Sequence, residues 1–145
     1  PVPWSLGLAT YGFLTLYWVS PWLITSRDLH AAPWLLGLCV AMWGLGVWLH
    51  FAADMQKHMH LQLRPGTLLR EGLWAHNRNP NYLGELLIYS SFCLLSMHWA
   101  PMAALAIAVF GVWVPNMIKK DRSLSRYPEF AAWQRRSCLI VPRVL

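Results

Sequence analysis

Acidic residues are scarce in this chain: six Asp and Glu stand against twelve Lys and Arg among 145 positions. Charged residues make up 12% of the sequence, against about 25% in a soluble domain. That shortage excludes an ordinary water-facing surface. Cysteine is sparse and scattered. Cys39, Cys93 and Cys138 are odd in number and show no CxxC spacing, so neither a disulfide framework nor a zinc site is implied. Two of them sit in apolar stretches, where a thiol behaves as a small hydrophobe. Period-two alternation is absent, so strands are not expected, and a backbone in lipid then has to satisfy itself as helix. There is no internal repeat or low-complexity tract. The first apolar stretch lacks a basic leader and is too long and too rich in Trp and Tyr for a signal peptide.

What is present is hydrophobic. Apolar residues reach 57%, and ten positions are Trp. Four apolar stretches, at about 3–24, 33–53, 82–98 and 101–118, approach the ~20 residues that cross a bilayer as helix. His98, Trp99, Ala100 and Pro101 leave room only for a tight hairpin, with Pro101 suited to a first helical turn. Trp4, Trp18, Trp22, Trp34, Trp74, Trp99 and Trp113 fall near segment ends, as an aromatic belt does, while Trp43 and Trp48 are read as packing residues. The sequence therefore predicts an all-α polytopic membrane bundle of about four transmembrane helices with a C-terminal amphipathic interfacial helix. Residues 1–145 are read as one transmembrane domain. Because the sequence begins at Pro1 rather than Met, it is expected to be the C-terminal part of a larger fold.

Basic residues set the orientation. Lys57, Arg64, Arg70 and Arg78 follow the second segment, and seven more run from Lys119 to Arg143, whereas only Arg27 separates the first two segments. The long loop 55–81 and the C-terminus are thus expected on the cytoplasmic side of a bacterial inner membrane or the endoplasmic reticulum. The net charge of +6 is accounted for by this bias and by anionic headgroups or phosphate-bearing ligands, so membrane lipids are expected partners and nucleic acid is not.

Three polar constellations interrupt the apolar background. His50 and Asp54 are four apart, on one helix face near Gln56 and Lys57. They form either a helix end whose carboxylate finds a basic neighbour or the wall of a ligand cavity. Next comes Arg78-Asn79-Pro80-Asn81-Tyr82-Leu83-Gly84-Glu85. Here Arg78 offers a guanidinium fork for the phosphate of a cofactor, Pro80 turns Asn79 away from helix, and Asn81 is a plausible N-cap. A capped helix start with a small-residue packing point at Gly84 explains most of this run. It does not explain Glu85, one turn inside an apolar segment. The third constellation lies between Asn116 and Pro142, where basic residues alternate with Leu124, Tyr127, Phe130 and Trp133, predicting an amphipathic helix broken at Pro128. Its Arg135-Arg136 pair suits a phosphate-rich cofactor.

Three blocks in order, Asp54-Met55-Gln56-Lys57, Gly72-Leu73-Trp74 leading to Arg78 through Glu85, and Arg126-Tyr127-Pro128-Glu129-Phe130 through Arg136 with Ile140-Val141-Pro142, resemble the steroid 5-alpha-reductase C-terminal domain family. The likeness is strongest to its branch of membrane proteins known as domain of unknown function 1295, over residues 46–142. The resemblance implies an NADPH-dependent reductase of a carbon-carbon double bond conjugated to a carbonyl in a steroid-like or other lipophilic small molecule. It places Asp54, Asn81 and Glu85 on polar parts of the cofactor, Asn116 at a cofactor-facing position, and Arg136 with Arg135 on phosphate. Tyr82 belongs to the motif without an assigned role. Asn116 stands where the steroid enzymes have His. The family's acid and substrate residues lie on preceding helices, so no catalytic residue carries over.

The stretch Arg78-Asn79-Pro80-Asn81-Tyr82-Leu83-Gly84 is also similar to the Arg-x-Pro-x-Tyr-x-Gly motif of isoprenylcysteine and phospholipid methyltransferases. That likeness implies S-adenosylmethionine as the ligand. Lys120-Asp121 stands where those enzymes carry a Glu-Glu pair. A non-catalytic membrane protein is the third reading.

Overall fold

The computed structural model describes residues 16–141 together with Trp4, Gly7 and Tyr11. Most of the first expected segment, and Pro142 and Arg143, lie outside the described residues. What is described is all helical: the only ladder contact is a single bridge between Asn77 and Cys138. A short 3-10 turn, Leu16–Trp18, leads into helix α1, Val19–Ser26.

Helix α2, Pro33–Leu63, has 31 residues and so extends about 46 Å, longer than the ~30 Å of bilayer hydrocarbon. It begins on Pro33, whose missing N–H is no loss in a first turn. Residues 55–63, expected in the long loop, instead continue this helix. Nothing in the run from Met55 to Leu63 breaks helix, and the connection proper is 64–79.

Helix α3 is Pro80–Leu95. Its 16 residues span about 24 Å, short of a full crossing. The turn to α4, Trp99–Ala108, is the tight one expected: the His98 side chain accepts from the Ala100 N–H at 3.1 Å, and Pro101 is buried in the first turn. Helix α4 passes through a π-helical segment, Val109–Trp113, into α5, Val114–Leu124. Pro115 explains the widening, because it cannot donate to the Gly111 carbonyl and its ring would clash there. The Val114 N–H reaches back to the Val109 carbonyl instead. A turn at Ser125–Glu129 precedes α6, Phe130–Arg136. The expected separate amphipathic helix from Asn116 is therefore, in its first half, an extension of the helix before it.

Among the described residues, two helices are long and apolar enough to cross a membrane, Pro33–Leu63 and Trp99–Leu124. Large apolar side chains including Trp34, Phe51, Trp99, Ile107 and Phe110 face outward, the arrangement that lipid covers at no cost. Trp43 and Trp48, expected to pack inside, are 45% and 58% exposed. Conversely, Trp74 and Trp113, expected in the belt, are 4% and 5% exposed. The reason is local: Trp74 donates Nε1–H to the Ala53 carbonyl, and Trp113 joins Cys93, Leu105, Val109 and Met117 in the core.

The crossing of α2 and α3 rests on two glycines. A Cβ at Gly46 would lie 2.7 Å from the Gly84 carbonyl oxygen, and one at Gly84 would lie 2.6 Å from the His50 nitrogen. Only residues without side chains allow this backbone approach.

Candidate functional site

The glycine crossing decides what faces what. With Gly84 against the His50 backbone, Glu85 on α3 is brought to the same place as His50 and Asp54 on α2. His50 Nε2 lies 3.6 Å from Asp54 Oδ2 and Nδ1 lies 3.6 Å from Glu85 Oε1. The Asn81 carbonyl is 3.4 Å from the same Nδ1. The imidazole is thus flanked by acceptors on both edges, with Asp54 the outermost: its side chain is 46% exposed against 24% for His50 and 26% for Glu85.

The carboxylates lie at opposite edges of the ring rather than converging on one point. Among the described residues, no group of three or more His, Cys, Asp and Glu is arranged to hold a metal ion.

Asn81 completes the cluster. It is not the N-cap: helix α3 starts at Pro80, and Asn79 occupies the cap position without a side-chain cap bond. Proline at the first helical position sets that boundary. Asn81 falls inside the first turn, and its Oδ1 is buried with no hydrogen-bond partner. A buried orphan acceptor is a cost of roughly 1–3 kcal/mol that native structures seldom carry without a use. Tyr82, one residue on, packs on Trp113 at 5.3 Å between ring centroids, and Tyr89 packs on the same indole at 6.0 Å.

Arg78 has a different task from the one its sequence suggested. Its guanidinium is buried, donating from Nε to Asp121 Oδ2 at 2.9 Å and from Nη1 to the Ser137 carbonyl at 2.6 Å. The side chains are 9% and 12% exposed, so this fork clamps the motif to α5 and to the end of α6 instead of meeting a phosphate. Around it the loop is stitched to the tail. The Arg78 N–H donates to the Cys138 carbonyl and the Cys138 N–H to the His76 carbonyl. Asn77 donates Nδ2–H to the Ile140 carbonyl. Asn79, fully buried, donates to the Leu139 carbonyl and accepts from Lys120. Lys120 also donates to the Arg78 carbonyl and stands 5.0 Å over the Trp74 ring. Farther out, buried Trp133 donates Nε1–H to the Trp74 carbonyl at 2.8 Å. Loop and tail therefore share one end of the molecule.

Asp54, Asn81 and Glu85 are thus brought together, with Tyr82 at the flank. Arg135 and Arg136 are exposed in the last turn of α6, whose end is tied to Arg78, so they stand free at the same end as the start of α3. Asn116 is exposed on α5, three residues after Trp113 and four before Lys120, beside the stripe that faces the core rather than in the His50 cluster. The clamp formed by Asn77, Asn79, Lys120 and Asp121 was not identified from sequence. Its signal was the density of Asn, Arg and Lys at positions too buried to be solvated, which a linear sequence does not display.

Comparison with known proteins bears on this arrangement. The cobalt-zinc-cadmium resistance protein CzcN of Cupriavidus metallidurans is 28% identical, the alignment covering 98% of this chain and 71% of that protein. No solved structure matches. The family described as a protein of unknown function (DUF1295) matches residues 10–137, a range that includes the glycine crossing, the His50 cluster and the Arg78 clamp. By that match, as its sequence blocks implied, the chain belongs to the DUF1295 family.

Proposed function

We propose that this protein is a membrane-embedded, NADPH-dependent reductase acting on a carbon-carbon double bond conjugated to a carbonyl in a lipophilic small molecule. The observation that carries the reading is the orphaned Oδ1 of Asn81, the residue whose backbone carbonyl meets the His50 ring that also links Asp54 and Glu85. A buried acceptor without a donor, next to two half-buried carboxylates, suits a ligand rich in O–H and N–H groups. Ribose hydroxyls and a carboxamide supply such donors. Arg135 and Arg136 supply guanidinium groups for phosphate at the same end of the molecule. When bound, the cofactor supplies the hydride; the protein orients the two reactants and keeps water from the reacting centre. No catalytic acid is assigned.

A second reading, an S-adenosylmethionine-dependent methyltransferase, is favoured by the sign of the same cluster. Two carboxylates around an acceptor also suit an ammonium and a sulfonium. The readings separate by ligand-dependent melting of the detergent-solubilised chain, since a ligand that binds only the folded state raises apparent stability by mass action. The reductase reading expects a rise with NADPH. A rise with S-adenosylmethionine alone transfers the assignment to methyl transfer, and no rise with either points to a non-catalytic membrane protein.

The proposed orientation places the 64–79 connection and the C-terminal tail in the cytoplasm, supported by the basic residues on both. Single cysteines at Gly66 and Leu145, introduced after replacing the three native ones, then react with an impermeant maleimide from the cytoplasmic side only. Labelling from opposite sides rejects this topology.

A further inference from the structure

We infer that the half-open cavity between the Leu16–Trp18 turn, α1, α3 and α4 is a binding site for a slender aliphatic chain, the apolar end of an amphiphile whose polar end lies at the His50 cluster. The inference rests on that cluster being a ligand site, as proposed above, and adds the substrate class. The cavity holds about 260 Å³, slightly under the ~300 Å³ at which small-ligand pockets begin. That size admits a narrow chain.

Its lining is almost wholly carbon, with Ile88, Cys93 and Leu105 among the walls and the Tyr17 and Tyr89 rings stacked at 4.0 Å beside them. Among the described residues this wall offers no cation and no carboxylate, so a charged or sugar-like guest would lose its hydration without compensation. The direction in which the guest points follows from α3. Glu85 belongs to the polar cluster and Tyr89, four residues on and hence on the same face, lines the cavity. Trp113 touches both Tyr82 and Tyr89, so one aromatic wall runs from the polar site to the apolar one. A hydrocarbon tail fits the apolar end of that wall and leaves the head of the molecule at its polar end.

Cys93 supplies the reporter. In the full chain carrying Cys39→Ser and Cys138→Ser, the rate at which methyl methanethiosulfonate modifies Cys93 is measured with and without 2-dodecanone, and binding of the radiolabelled ketone is measured in parallel by equilibrium dialysis. At a ketone concentration ten times its dissociation constant, occupancy slows modification about tenfold. Dialysis gives saturable binding of one ketone per chain, abolished by Ala104→Trp, which fills the cavity, while the NADPH-dependent rise in melting temperature persists in that variant. Ketone binding that is non-saturable, or unaffected by Ala104→Trp, overturns the inference even where NADPH stabilises the chain. Saturable binding and Cys93 protection without any effect of NADPH uphold the chain-binding cavity and remove the cofactor reading.

Discussion

Gly84 meets Gly46 backbone to backbone where α2 crosses α3, so that a methyl at Gly84 would sit 2.7 Å from the Gly46 carbonyl and 2.6 Å from the His50 nitrogen. This contact sets the distance from His50 to Glu85. Gly84→Ala is expected to separate the helices and destabilise the fold by roughly 1–3 kcal/mol, the usual range for overpacking. Gly37→Ala, at a position with nothing within 4 Å, serves as the control and is expected to leave the melting temperature unchanged or slightly higher, as alanine favours helix. Thermal melts of the two purified variants in one detergent check this. Equal losses would mean that the crossing is not the constraint.

Arg78 and Asp121 form a buried pair at 2.9 Å, and breaking such a pair from one side leaves a charge without compensation. Arg78→Met is expected to cost roughly 3–5 kcal/mol, with much of that recovered in the double variant Arg78→Met, Asp121→Leu. Denaturant unfolding of wild type, both single variants and the double variant measures the coupling. Additive losses would contradict the clamp.

Trp133 holds α6 to the motif loop through one bond, Nε1–H to the Trp74 carbonyl at 2.8 Å. Trp133→Phe keeps a ring in the buried space and removes the donor, for an expected loss of about 1–3 kcal/mol because the carbonyl is left unsatisfied. Limited proteolysis should then cut between Ser125 and Ser137 sooner than in wild type. Unchanged cleavage there would show that the tail is held by other contacts alone.

The helical class was legible because hydrophobicity and the scarcity of charge are properties of composition. The start at Pro33 and the hairpin at His98 were legible because proline and tight turns act locally, whereas the start at Pro80 was displaced to Asn81, whose side chain suits a cap equally well. Gly84 was correctly read as a close-approach point, although only the structure identified its partner as Gly46. The inversion of the tryptophans was not legible: Trp113 is buried and Trp43 exposed because of the helix face each occupies, Trp74 is buried by its long-range bond to the Ala53 carbonyl, and where both faces of a helix are apolar the pattern gives no inside. The role of Arg78 was hidden for a related reason. Its partners, Asp121 and Ser137, lie 43 and 59 residues away, and a guanidinium before a helix start looks the same whether it meets phosphate or a buried carboxylate.

The central claim is that the polar cluster at the glycine crossing binds the cofactor, and Asn81→Ala tests it most directly. Asn81 Oδ1 is buried without a partner, so removing it deletes an unsatisfied group and is expected to leave the unliganded melting temperature unchanged or raise it. The stabilisation by NADPH expected in wild type should disappear in that variant and in Glu85→Ala. A variant that melts like wild type alone yet still gains the full NADPH stabilisation would contradict the account.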